Sequence, residues 1–65
     1  MQAHELRVVD EKKELDIKIL ALFMFTTMSI YANLSEQEKT LLQRQHTAMR
    51  QYSEVLGERI KLFTK

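Results

Sequence analysis

Acidic side chains are the first candidates for chemistry in this sequence, because the chain has no Cys and only two His. Four carboxylates lie close together in the sequence, at Asp10, Glu11, Glu14 and Asp16. Carboxylate oxygens are the ligands that hard divalent cations prefer. These acids, however, alternate with Lys12, Lys13 and Lys18, a pattern typical of a self-neutralising, solvated helix face. We therefore predict no metal site.

The imidazole of His46 is the main candidate for acid–base or nucleophilic catalysis. Its sequence neighbours are Gln45 and Thr47, and adjacent residues on a helix do not face each other. A chain with a single Gly also cannot form a glycine-rich phosphate loop. We predict a rim position for His46, no cofactor and no enzymatic activity.

Three arginines in the second half, Arg44, Arg50 and Arg59, are the candidates for contacts with a partner or ligand. Two of them, Arg50 and Arg59, could line a groove together with Tyr52 that stacks a base or grips a phosphate. The other interpretation places Tyr52 and Arg59 at the edge of an apolar core. The formal charge is only +1, from 10 basic and 9 acidic residues, which disfavours nucleic acid as the partner.

The elements that carry these residues are predicted to be helices, since the chain has no Pro and one Gly. Ser35 followed by Glu38 is a capping-box pattern and predicts the start of the second helix. Apolar pairs then recur every seven residues, which indicates a helix over about 35–63 with one core face. Gly57 inside it is either a tolerated glycine or a mark of close backbone approach.

The first helix is predicted over about 4–27, with a connection over about 28–34. Residues 19–25 are apolar on every side and need cover on every side. The charge-free stretch from 19 to 35 is shorter than the ~20 apolar residues of a membrane span, so a membrane is disfavoured.

The predicted fold is all-α: one domain over 1–65, a two-helix antiparallel hairpin. A chain this small has a marginal core, and without cysteines the remaining means of stabilisation is oligomerisation. We therefore predict a homo-oligomer, with a four-helix-bundle-like dimer favoured. The residues predicted for its core and interface are Leu15, Ile19, Leu22, Phe23, Phe25, Leu42, Met49, Tyr52, Leu56 and Phe63.

Three sequence blocks carry a family resemblance: HELRVVDEKKELDIK at 4–18, LLQRQ at 41–45 and MRQYSEVLGERI at 49–60. They resemble a family of very small phage and prophage proteins, which includes crAssphage-related small proteins and short early proteins of lambdoid phages. The resemblance implies an accessory protein made early in infection or lysogeny and acting in the host cytoplasm. It supplies no catalytic motif and assigns no residue a role.

Three functions are compatible with these patterns. The favoured one is non-catalytic regulation through contact with a host or phage protein. The alternative is binding of nucleic acid or of a nucleotide signal by the basic side of the second helix, with Lys61 joining the three arginines. A membrane-active peptide is a further alternative.

Overall fold

A computed structural model of the protein describes residues 2–63, and the regular structure in this range is helical. The helices are α1 (Ala3–Phe25), the one-turn α2 (Ser29–Ala32) and α3 (Glu36–Lys61). The prediction of an all-helical chain is confirmed. The predicted boundaries of the two long helices differ from the observed ones by no more than two residues. The short α2 in the connection was not predicted.

Side-chain hydrogen bonds mark both ends of α1. At its start, the backbone N–H of Gln2 donates to Oε1 of Glu5 at 2.7 Å. At its end, Thr26 Oγ1 donates to the carbonyl of Phe23 at 2.6 Å, and Thr27 Oγ1 donates to the carbonyl of Met24 at 2.7 Å. Threonine hydroxyls that bond back to carbonyls compete with helix continuation. The two consecutive threonines therefore explain why α1 stops at Phe25.

The start of α3 is capped by Ser35, as the sequence predicts. The Ser35 hydroxyl accepts a hydrogen bond from the backbone N–H of Glu38 at 3.2 Å. The return bond from the Ser35 N–H to the Glu38 carboxylate is absent from the described part of the chain, so the predicted capping box is only half formed. Acids in the first turn and bases in the last turn also stabilise α3 by interacting favourably with the helix dipole.

The two long helices run antiparallel. The His4 ring near the start of α1 lies 6.5 Å from the Phe63 ring beyond the end of α3, and the two rings meet edge to face. Near the other end, Phe23 lies 6.5 Å from His46. The molecule is therefore a rod of 47 × 15 × 14 Å.

The apolar seam between α1 and α3 is thin. Its buried apolar members are Val8, Leu15 and Leu56, and Ile19, Met49, Ile60 and Phe63 pack partly buried against them. Among the other residues predicted for core and interface, Leu22, Phe25 and Leu42 are half-buried. Phe23 and Tyr52 lie on the surface of the single chain, 57% and 46% exposed, and so are not part of the hairpin core. A single seam between two helices leaves too few inward positions to bury them.

A polar network interrupts the seam near its middle. Ser53 is buried, and its hydroxyl donates to Oδ1 of Asp16 at 2.5 Å. Lys12 Nζ donates to the Ser53 hydroxyl at 2.7 Å and to Oδ2 of Asp16 at 3.1 Å. The three side chains form a closed triangle, which we call the Lys12 network. It satisfies the buried hydroxyl and joins α1 to α3 in one register.

The hydrogen bond from Ser53, followed by that from Lys12, lowers the pKa of the Asp16 carboxyl below its ordinary value. The charged form of Asp16 is therefore more stable in the folded protein than in the unfolded chain. The resulting stabilisation is complete above the unfolded pKa, which is about 4. It is lost as the pH falls through the lower folded pKa.

Gly57 faces the Lys12 network rather than another backbone. A Cβ atom built on Gly57 would lie 3.4 Å from Cε of Lys12, an ordinary van der Waals distance. The interpretation of Gly57 as a point of close backbone approach is therefore wrong within the hairpin. Instead, the aliphatic stem of Lys12 lies over it.

Replacing Asp16 should weaken the dependence of the free energy of unfolding on pH in the acid range. We expect Asp16→Asn to lose less free energy of unfolding than the wild type between pH 6 and pH 2, because the variant lacks the depressed carboxyl. Urea unfolding followed by circular dichroism at several pH values measures this difference. Asp10→Asn, an exposed acid of the same helix, is the matched control and should keep the wild-type curve. Identical curves for Asp16→Asn and wild type would contradict this account.

Replacing Gly57 with alanine should stabilise the protein. The added methyl group has room beside Lys12, and alanine is favoured over glycine inside a helix by up to ~1 kcal/mol. We expect a higher midpoint of urea unfolding for Gly57→Ala. The reverse change at an exposed site, Ala21→Gly, should lower the midpoint by a similar amount. Destabilisation by Gly57→Ala would mean that the Lys12 stem cannot yield.

Candidate functional site

One side of α3 carries an open, polar depression of about 430 Å³. We call it the α3 polar face; its lining residues are Thr40, Gln43, Arg44, Thr47, Ala48 and Gln51. Thr40, Arg44, Thr47 and Gln51 follow one another at steps of three or four, the spacing that places residues on one helix face. The lining combines one guanidinium, two amides and two hydroxyls, and it contains no acid. Such a surface suits an anionic ligand.

A second depression, of about 470 Å³, lies between the helices near the connection. We call it the inter-helix groove; it is lined by Phe23 and Thr26 of α1, Tyr31 of α2, and Leu42, Gln43, His46 and Thr47 of α3. Both depressions fall in the size range of small-molecule sites. The groove is the more apolar and aromatic of the two, so it suits a flat ring.

Contacts from both sides hold Tyr31 in the groove. Gln43 Nε2 donates to the Tyr31 hydroxyl at 3.1 Å. The Tyr31 ring meets Phe25 edge to face, with centroids 6.2 Å apart, and Lys39 Nζ lies 5.7 Å from the Tyr31 centroid. The one-turn α2 therefore places an oriented aromatic ring over the start of α3.

Phe23 and His46 form a second aromatic part of the groove lining. Their ring centroids are 6.5 Å apart, and the ring planes are inclined by 40°. Phe23 is more than half exposed although it belongs to an aromatic pair. An exposed phenyl ring beside an imidazole offers a stacking surface to a planar ligand.

The α3 polar face and the inter-helix groove adjoin, because Gln43 and Thr47 line both. One ligand could therefore place a ring against Phe23 and an anionic group against Arg44. The amide of Gln43 and the hydroxyl of Thr47 lie between these two positions. The Thr47 hydroxyl already donates to the Gln43 carbonyl at 3.1 Å and retains acceptor capacity.

The structure does not bring the three predicted arginines together. Arg44 lines the α3 polar face, whereas Arg50 and Arg59 line neither depression. Because a helix turns by 100° per residue, Arg50 lies about 120° around the helix axis from Arg44. Arg59 lies about 22 Å from Arg44 along the axis. Tyr52 also lies outside both depressions.

The aromatic lining of the groove was missed by sequence reasoning. The sequence predicts a core or interface position for Phe23 and a rim position for His46, whereas both side chains line the inter-helix groove. Tyr31 depends on α2, a turn that helical periodicity does not reveal. The aromatic spacing of Phe23, Phe25 and Tyr31 around the connection was the available signal.

Within 2–63, no three His, Cys, Asp or Glu side chains converge in a way that could hold a metal ion. In the same range, no helix has both the length and the hydropathy that crossing a bilayer requires.

The sequence matches a known protein family. The family model described as Sequestin matches residues 2–62, which is nearly the whole sequence. The chain belongs to the Sequestin family. No curated protein and no solved structure matches it. The phage origin implied by the sequence resemblance stays a prediction, since Sequestin membership is what the comparison establishes.

Proposed function

We propose that this member of the Sequestin family is a non-catalytic binding protein that self-associates and sequesters a small, nucleotide-like ligand. The observation that carries the proposal is the adjoining pair of surfaces, one aromatic and one cationic, joined by Gln43 and Thr47. A nucleotide is complementary to both surfaces, because it has a flat base that can stack on the aromatic one and an anionic phosphate that can bind the cationic one. The family name Sequestin also suggests holding a molecule without converting it.

Self-association is supported by the surface area of the single chain. The chain exposes 5283 Å², whereas a compact monomer of its mass, 7.7 kDa, exposes about 4300 Å². The excess, roughly 1000 Å², is comparable to the ~800 Å² per partner that a standard interface buries. Large apolar residues supply much of this surface, including Leu41, Val55 and Leu62. A homo-oligomer would cover them.

The class of ligand is inferred from the surfaces that would stay exposed in a homo-oligomer. The sequence alone favours a host or phage protein as the target, and exposed apolar side chains could serve that purpose. If further copies of the chain cover the apolar surfaces, the α3 polar face and the inter-helix groove remain. Threonine is under-represented among the residues that dominate protein interfaces, whereas the guanidinium, amide and hydroxyl groups of the α3 polar face are good donors for a phosphate. A protein target is therefore the second candidate.

The setting belongs to the same proposal. The phage family that the sequence resembles implies a protein made early in infection and acting in the host cytoplasm. A small protein that holds a host nucleotide signal would lower the free concentration of the signal by mass action. This mode of action requires stoichiometric amounts of protein but no catalytic group.

Arg44 provides the direct test. We expect at least one nucleotide from a panel of AMP, ADP, cyclic AMP and cyclic di-AMP to raise the melting temperature of the wild type by several degrees. Arg44→Ala should lose most of the shift, because the cation on the polar face is removed. Arg50→Ala, on the same helix but outside both depressions, is the matched control and should keep it.

Two further results bear on the same proposal. Bound nucleotide released by heat should be chemically unchanged by mass spectrometry, since sequestration involves no reaction. Absence of any melting shift with the whole panel, or equal losses in Arg44→Ala and Arg50→Ala, would count against the nucleotide site. Capture of a stoichiometric protein partner from host lysate would then favour the second candidate.

A further inference from the structure

An apolar stripe runs along α3 on a side that α1 does not cover. We call it the α3 stripe; its members are Leu41, Ala48, Val55 and Leu62, spaced seven residues apart. The three large members are each more than half exposed. A repeat of seven is the spacing that keeps one face of a helix against a partner helix over many turns.

We propose that a second copy of the chain binds antiparallel along the α3 stripe, with the two-fold axis at Ala48. This inference rests on the self-association proposed above and specifies its geometry. Ala48 is the small member of the stripe, so two helices can approach most closely there. Leu41 and Val55 lie at equal distances on either side of it. An antiparallel pair therefore places Leu41 of each copy beside Val55 of the other.

The charges of α3 favour this direction. Acids occupy the first turn of the helix and bases the last turn. With the axis at Ala48, Arg59 lies next to position 37 of the second copy and therefore near its Glu38. A parallel pair would instead place like charges together and align the two helix dipoles unfavourably.

The exposed apolar residues of α1 are less suited to the same role. Leu6, Ile17, Leu20 and Met24 are also exposed, on the side of α1 turned away from α3. Because a helix turns by 100° per residue, the charged Lys13 lies on the same face as these apolar residues. α1 has an acid in its first turn but no base in its last turn, so an antiparallel pair of α1 helices lacks the complementary ends that α3 offers.

The antiparallel pair would also complete the ligand site. The two-fold axis is perpendicular to the plane that contains the two α3 helices. The α3 polar faces of the two copies therefore lie on the same side of this plane and adjoin each other. Arg44 lies four residues from Ala48, which places the two Arg44 positions about 12 Å apart along the helix axis. One groove would then carry two guanidinium groups, and the expected stoichiometry is one ligand per two chains.

Cysteine cross-linking tests the geometry cleanly, because the chain has no native cysteine. Two Ala48→Cys chains should form a disulfide-linked dimer rapidly on mild oxidation, since a residue on a two-fold axis meets its own copy. Leu41→Cys alone should not cross-link, because its copies lie about 21 Å apart along the axis. An equimolar mixture of Leu41→Cys and Val55→Cys should give the mixed dimer. Ile17→Cys on α1 is the matched control and should stay a single chain.

The outcomes separate this inference from the proposal on which it rests. Light scattering gives the mass of the native protein, and non-reducing electrophoresis gives the cross-linking pattern. A native oligomer in which Ile17→Cys cross-links, but neither Ala48→Cys nor the mixed pair does, overturns the α3 interface and leaves self-association standing. A native monomer overturns both. If Ala48→Cys disturbs folding, the Leu41→Cys and Val55→Cys mixture decides the question.

Discussion

The structure depends on one constraint, which is that two long helices can share only one seam. Along this seam the buried apolar side chains are Val8, Leu15 and Leu56. A helix of 23 residues and one of 26 carry far more apolar surface than the seam can hide. The rod shape follows from this arrangement, and so does the exposure of large side chains on both helices. This exposed apolar surface is the physical basis of the self-association that we propose.

The Lys12 network fixes the register of α1 against α3, and it does so at the expense of apolar burial in the seam. Ser53 occupies a position where a leucine would bury more apolar area, yet its hydroxyl accepts from Lys12 and donates to Asp16. A seam made only of apolar residues would tolerate sliding of one helix along the other. The polar triangle is satisfied in one alignment, and we regard it as the register device of the hairpin.

Much of the fold could be predicted from the sequence because its signals are local. The Ser35 cap, the single Gly and the seven-residue apolar repeat each act within a few turns of one helix. The Lys12 network could not be predicted in this way. Lys12 and Asp16 belong to a charged segment that resembles any solvated helix face, and Ser53 is 37 positions after Asp16. Likewise, the inter-helix groove depends on α2, which brings Tyr31 toward α3 through a turn that periodicity does not describe.

The central claim is that the thin seam makes folding depend on a second copy. The most direct measurement is the thermal midpoint of the native protein by circular dichroism over a hundredfold range of protein concentration. Coupled folding and association predict a midpoint that rises steadily with concentration, because mass action favours the assembled state. A midpoint that stays constant over the whole range, together with a single-chain mass, would contradict the account.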